Sequence, residues 1–403
     1  MKLAFFSPLP PQRSGISDYS EDLLPFLAQG AMLELFTDEG VSPTNSKIVD
    51  NFPVYPYTQF GRRHQAAPYD LCLYQMGNNP KYHHYMDALI QTYPGIVTLH
   101  DYALQHLYIF LCTKQKRFDE YQEMMETYYG PEGRVIANNF RKGILHDYVF
   151  YQYPLFQRVV VPSRGTIVHS QYVKQKILRY DASLHVEMIP MGIMPPDLSQ
   201  YDVNTLRKQY QIPYDRFVVG AYGYIQPGKR IPELLRSFAE LVKETPEALC
   251  LLVGHLASPQ EVSNFDIRKL IRDLGIEKHV LITGFTPYNQ FLDYLALSDV
   301  CVNLRHPTVR ATSANILKIM AFGKPAIISD LGENLDFPST VCIKIPLNDT
   351  EEEKIFQAIV ALSRDPEQRQ TMGAQARKFI IEQHSIQQAA DKYLAFCQKI
   401  LNR

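Results

Sequence analysis

Pro190-Met191-Gly192-Ile193-Met194-Pro195-Pro196-Asp197 puts three prolines and a glycine into eight residues. Proline removes a backbone donor and fixes φ, so no helix or central strand continues through such a stretch, which suits a linker between domains. Before it, short β-rich apolar runs alternate with amphipathic segments: Leu3 to Phe6, Leu33 to Phe36, Leu71 to Tyr74, Ile96 to Leu99, Thr166 to His169 and Val186 to Ile189. After it the same alternation resumes with Phe217 to Ala221, Leu249 to Val253, Val280 to Thr283, Val300 to Asn303, Ala326 to Ile328 and Val341 to Ile345. This is the pattern of βαβ units and parallel sheets. The expected fold is α/β, with two Rossmann-like doubly wound domains and a boundary near residue 195. The first domain also carries a helical excursion from Leu104 to Val149, broken at Gly130-Pro131. Beyond Asp349 the pattern is helical to the end, with breaks expected at Asp365-Pro366 and near Gly373, and Ile386 to Leu401 as the last helix.

The composition agrees with a folded two-domain chain. Of 403 residues, 46% are hydrophobic and 21% charged, so sizeable cores are available and wholesale disorder is excluded. A net charge of −1 removes the electrostatic footprint of a dedicated nucleic-acid binder. Cys72, Cys112, Cys250, Cys301, Cys342 and Cys397 are far apart, without CxxC or metal-ligand spacing, and read as reduced core thiols of a cytoplasmic protein. No uncharged apolar stretch reaches the ~18 residues of a membrane span. The tyrosines crowded between Tyr102 and Tyr180 read as core aromatics, with sugar stacking as the alternative.

Several loops at predicted strand ends carry chemistry. The first strand leads into Ser14-Gly15 and then a helix, where backbone N–H groups can approach a phosphate or sugar without an intervening side chain. Strand Ile96 to Leu99 ends in His100-Asp101-Tyr102, at the end of the sheet where ligands bind in open α/β folds. Strand Phe217 to Ala221 leads to Gly223-Tyr224-Ile225-Gln226-Pro227-Gly228-Lys229-Arg230, formally GxxxxGK. Arg230 stands where a Walker A loop needs Ser or Thr for magnesium, so the loop reads as a cationic diphosphate grip instead. From Cys301 to Ser329 there are four Lys or Arg and no Asp or Glu. Thr312 or Ser313 is placed to cap a helix carrying Ile316, Leu317, Met320 and Ala321, beside Arg305 and Arg310. Helix dipole, orphan N–H groups and charge make that N-terminus an anion site.

Taken in order, the Pro-rich Ser14-Gly15-Ile16 loop, His100-Asp101, Gly223-x5-Lys229, Gly284-Phe285-Thr286, Ser298-Asp299-Val300 and Leu317 through Pro325 resemble glycosyltransferase family four. Gln75 through Asn79 and Leu304 through Thr308 are similar to a large bacterial branch of it. The resemblance implies the retaining GT-B fold: an acceptor domain over 1–195, a nucleotide-sugar domain over 196–375, the two facing each other across a cleft, and a C-terminal helix within 376–403 crossing back to the first. It implies no cofactor and no metal, with a nucleotide-diphosphate sugar as co-substrate. Lys229, Arg230, Arg310, Thr312, Ser313, Lys318 and Gly15 would then bind donor. Ser14, Asp101 and Tyr102 would bind acceptor, and His100 would orient the sugar as the catalytic residue.

The sequence also departs from that family. Its helix normally carries one glutamate for the sugar and, after seven residues, a second for the ribose; Arg310 and Lys318 occupy those positions. Tyr224 stands where an arginine usually follows the glycine. The expected function is metal-independent transfer of a hexose to a glycan or glycoconjugate acceptor in polysaccharide biosynthesis, with room for peripheral membrane contact. The alternative is a non-catalytic homologue that binds a glycan or a partner glycosyltransferase.

Overall fold

The structure is a computed structural model that describes residues 1–258, 262 and 265–403. The chain forms two α/β units. One takes in Met1–Met194, Val309–Thr312 and Ile386–Arg403; the other takes in Pro195–Thr308 and Ser313–Ser385.

In the first unit, β1 (Lys2–Phe6), β2 (Met32–Thr37), β3 (Val54–Pro56), β4 (Leu71–Met76), β5 (Ile96–Leu99), β6 (Gly165–Val168) and β7 (Val186–Met188) pair in the order β3-β2-β1-β4-β5-β6-β7. Every pairing is parallel. Strands covered on both faces need continuous apolar runs, and Leu71–Met76 is buried at every residue. Phe6 stacks on Phe36 and Tyr74 at 5.0 and 4.7 Å between ring centres, at the middle of this core. The sequence reading lacks β3, whose three residues end in a proline. A proline at a sheet edge leaves no ladder donor missing inside the sheet, so this strand is tolerated although its pattern is too short to read.

In the second unit, β8 (Val218–Tyr222), β9 (Leu249–Val253), β10 (Val280–Gly284), β11 (Val300–Asn303), β12 (Ala326–Ser329) and β13 (Cys342–Ile345) pair in the order β10-β9-β8-β11-β12-β13, again all parallel. In both sheets the strand order reverses beside the first strand of the unit, between β1 and β4 and between β8 and β11. That is where a doubly wound sheet opens a crevice at its carboxyl ends.

The terminal segment differs from the single piece expected over 376–403. Helix Pro366–Gln383 runs through Gly373 without a break and belongs to the second unit; the break falls at His384-Ser385. Gly373 is there for contact: a Cβ on it would lie 2.0 Å from the Gly323 carbonyl oxygen, so only glycine lets helix Pro366–Gln383 approach the turn between helix Ala314–Ala321 and β12 so closely. Helix Ile386–Leu401 belongs to the first unit and buries Ile386, Ala389, Ala390, Tyr393, Phe396, Cys397 and Ile400, a stripe at helical spacing. Burial stabilises by roughly 1.5–3 kcal/mol for each large apolar side chain, so this helix is firmly seated.

Candidate functional site

The loop after β8 and the helix after β11 meet at the crevice of the second unit. Gly223 has φ +104°, and a Cβ on it would stand 2.8 Å from Asn315 Nδ2 and 4.0 Å from Lys229 Nζ. Asn315 Nδ2 donates to the Tyr222 carbonyl at 3.1 Å and ties the first turn of helix Ala314–Ala321 to the end of β8. The N–H groups of Gly223, Ile225, Lys229 and Arg230 donate to protein carbonyls, so the loop lacks the unbroken run of free N–H groups that a P-loop turns toward phosphate. What the loop presents is the Lys229 ammonium.

Lys229 is strongly perturbed by its surroundings. Desolvation, reinforced by the Arg305 guanidinium, pulls its pKa well below the ordinary lysine value. Among the described residues no carboxylate pairs with it. Arg305 Nη2 donates to Ser313 Oγ at 2.7 Å, and Arg305 N–H donates to Ser329 Oγ at 2.9 Å. Ser313 is the N-cap residue of the helix, but its hydroxyl makes no capping bond and turns to Arg305 and Asn303. The expected cap is therefore absent, and the first-turn N–H groups keep no side-chain acceptor, beside two cations.

Other expected donor residues are placed differently. Arg230, in a left-handed conformation, pairs with Glu351 and with Glu233 at 3.0 Å; the Glu351 hydrogen bond is the main reason its pKa is raised. Its charge is answered inside the protein, which corrects its assignment to the diphosphate grip. Lys318 lies one helical turn beyond Asn315, with Nζ 4.7 Å from the centre of the Tyr288 ring and 5.8 Å from that of Phe291. Arg310 and Thr312 fall in Val309–Thr312, which counts with the first unit. There the Val309 carbonyl accepts from Ala103 N–H at 3.1 Å, and the Arg310 guanidinium lies 5.6 Å from the centre of the Tyr172 ring. Of the two positions where the resemblance expects glutamates, Arg310 counts with the first unit and Lys318 with the second.

In the first unit, His100 lies inside rather than at the surface. It is 6% exposed, with Nε2 2.8 Å from Gln75 Oε1 and Nδ1 3.3 Å from His169 Nε2. His169 Nδ1 donates to the Ile189 carbonyl at 2.9 Å, and the Tyr19 ring meets both imidazoles edge-on. Desolvation, then His169 and His83, hold the His100 pKa well below 6.5, so the ring is neutral. Both ring nitrogens have protein partners, and a role of this side chain in orienting a sugar finds no support in its geometry. Ser14 Oγ accepts from Ile16 N–H at 3.2 Å and caps helix Gly15–Leu27. Asp101 Oδ2 accepts from Asn78 N–H at 2.7 Å, and Tyr102 stacks on Phe156 at 4.8 Å. Gly15 is different: a Cβ there would meet nothing within 4 Å, so its backbone faces open space.

Sequence reasoning missed Asn315, Gln75 and His169 as partners. Only the position of Asn315 at the second residue of a helix was a signal; the other two depend on pairings between strands.

Residues 202–379 match the model of the family described as glycosyl transferases group 1. The match covers less than half of the chain and falls on the part that forms the second sheet. Solved glycosyltransferase structures extend the likeness to the whole chain. Sucrose-phosphate synthase from Thermosynechococcus elongatus superimposes with a TM-score of 0.68 at 17% identity, over 100% of this chain and 99% of that one. Anabaena HepE in complex with UDP gives 0.70 at 16% identity, over 99% and 100%. WaaG, a glycosyltransferase involved in lipopolysaccharide biosynthesis, gives 0.61 at 13%, over 98% and 99%. At these identities the shared property is the fold: two parallel-sheet α/β domains of the GT-B glycosyltransferase type. Comparison with curated protein sequences gives no match. Among the described residues, no helix is long and apolar enough to cross a membrane.

Proposed function

We propose that this protein transfers a sugar from a nucleoside-diphosphate donor to a glycan or glycoconjugate acceptor, with retention of configuration, in polysaccharide biosynthesis in the cytoplasm. The observation that carries the proposal is Lys229: a desolvated ammonium beside a guanidinium, with no carboxylate among the described residues to pair with it. Placing two cations together in a low dielectric is unfavourable unless an anion joins them. The Lys229 ammonium, the Arg305 guanidinium and the N–H groups opening helix Ala314–Ala321 converge on one anion of diphosphate size.

Such a grip serves catalysis as well as binding. When the bond between the anomeric carbon and the donor oxygen breaks, the electron pair passes to the diphosphate, whose charge the two cations and the helix N-terminus stabilise. In this reading the protein's own cations supply that stabilisation, and a donor phosphate oxygen takes the acceptor's proton, so no side-chain base is needed. The complexes of HepE with UDP and with UDP-glucose support a uridine donor as the first to test.

A second reading, a non-catalytic homologue that binds a glycan or a partner glycosyltransferase, is favoured by one observation. Lys318 stands against the Tyr288 ring where the resemblance expects an acid for the ribose. A screen with labelled nucleotide-sugars decides between them. Transfer to any acceptor supports the enzyme and refutes the homologue; binding of no nucleoside diphosphate in a thermal-shift panel refutes the enzyme and supports the homologue.

A further inference from the structure

Ser14, Asp101 and Tyr102 are engaged in capping, loop closure and packing, which leaves the acceptor side of the proposed reaction without a site. The first unit has an open cavity of about 770 Å³ at the carboxyl ends of its strands, lined from the loops after β1, β2 and β4. This is the crevice where the strand order reverses. Its walls are fixed: Tyr82 Oη donates to the Arg13 carbonyl at 3.2 Å, Leu9 N–H donates to Gln12 Oε1 at 3.2 Å, and Asn79 Oδ1 accepts from Lys81 N–H at 3.0 Å.

The lining mixes apolar surface, from Pro11, Val41 and Tyr82, with polar groups of both charges. Arg13 enters from the loop after β1 and Lys81 from the loop after β4, on the two sides of the reversal. Lys81 is exposed, and no carboxylate among the described residues pairs with it. The single acid of the lining is Asp38; its Oδ1 already accepts from Glu39 N–H at 2.8 Å and lies 3.6 Å from His84 Nε2. Gln12 and Ser42 add neutral hydrogen-bonding groups. A ligand with several hydroxyls would find Gln12, Ser42 and Asp38, and an anionic group on it would find two cations.

We infer that this cavity is the acceptor subsite and that it selects an acidic sugar, one bearing a phosphate or a carboxylate beside its hydroxyls. The inference rests on the transferase reading, since that reading requires an acceptor site in the first unit. Arg13 and Lys81 would hold the anionic group, and Asp38 with Gln12 would hold the hydroxyls.

The test uses the full chain saturated with UDP, so that a sugar phosphate is kept from the Lys229 site, and titrates glucose, glucose 6-phosphate and glucuronate by ligand-observed NMR. The expected result is binding of at least one of the two acidic sugars ten-fold or more tighter than glucose. Preference for the phosphate or for the uronate tells which anion the site takes. In Arg13→Gln/Lys81→Gln, and in smaller measure in Lys81→Gln alone, the preference should fall to within three-fold, with UDP affinity within two-fold of wild type. Equal binding of glucose, no binding of any sugar, or a preference that survives the double substitution overturns the inference. Failure of UDP to bind in the same titrations would overturn the donor reading instead, so the two failures are distinguishable.

Discussion

Replacing Lys229 with methionine keeps most of the side chain's volume and removes its charge. In the free protein the ammonium is desolvated beside Arg305, and its pKa lies well below the ordinary lysine value of 10.5. A basic group whose folded pKa is depressed binds fewer protons in the folded state. Between the folded pKa and about 10.5, wild-type stability therefore rises with pH, and below both values the charged lysine is a standing destabilisation. Lys229→Met removes that penalty and should leave the melting temperature equal or higher near neutral pH. Binding of a nucleoside diphosphate should move the opposite way. A hydrogen bond to a charged group contributes about 1.5–3 kcal/mol, and at about 1.4 kcal/mol per decade this is a loss of roughly ten- to hundred-fold in affinity. The diphosphate favours the charged lysine, so wild-type binding should also take up protons at pH values above the depressed pKa. Titration calorimetry of UDP in two buffers of different ionisation enthalpy reads both quantities. A Lys229→Met protein that melts normally and binds UDP with unchanged affinity and unchanged proton uptake would refute the reasoning.

Arg230→Gln should lower stability by about 1–3 kcal/mol, because buried Glu351 loses its partner; UDP affinity should stay within two-fold, and a ten-fold loss would return Arg230 to the donor site. Gly223→Ala places a Cβ 2.8 Å from Asn315 Nδ2 at φ +104°, so urea titration should show about 1–3 kcal/mol of destabilisation together with weaker UDP binding; a neutral effect on both would mean that the loop and helix are not closely joined. Burial holds the pKa of His83 down to about 3 against an ordinary 6.5. The unfolded chain then binds the extra proton between these values, and stability falls as pH drops through that window, by up to about 1.4 kcal/mol per pH unit for this residue. His83→Gln should flatten the acid limb of urea midpoint against pH, and an identical slope in the variant would show that the ring is not desolvated.

The strands and the linker were legible because their physics is local. A strand buried on both faces must be apolar along its length, and Leu249–Val253 or Ile96–Leu99 can be read without knowing what covers them. The stripe of Ile386, Ala390, Tyr393 and Cys397 likewise marks Ile386–Leu401 as a buried helix, whereas the continuity of Pro366–Gln383 through Gly373 depends on Gly323, fifty residues earlier. The site was less legible for the same reason. Lys229 and Arg230 are neighbours in sequence and chemically alike, yet one faces Arg305 and the other Glu351. Nothing local separates them. The difference is set by the left-handed turn at Arg230 and by a helix that starts 121 residues later. His100 was misplaced similarly: a histidine at a strand end points to a ligand until Gln75 and His169, from neighbouring strands, are seen to take both of its nitrogens.

The central claim, that the Lys229 and Arg305 pair grips the diphosphate of a sugar donor, is tested most directly by measuring nucleoside-diphosphate release from a panel of nucleotide-sugars, with wild-type and Lys229→Met protein side by side and EDTA present throughout. The account predicts release from at least one donor by wild type, undiminished by the chelator, and a fall of ten-fold or more in the variant. Release from no donor, or equal release by the two proteins, would contradict it.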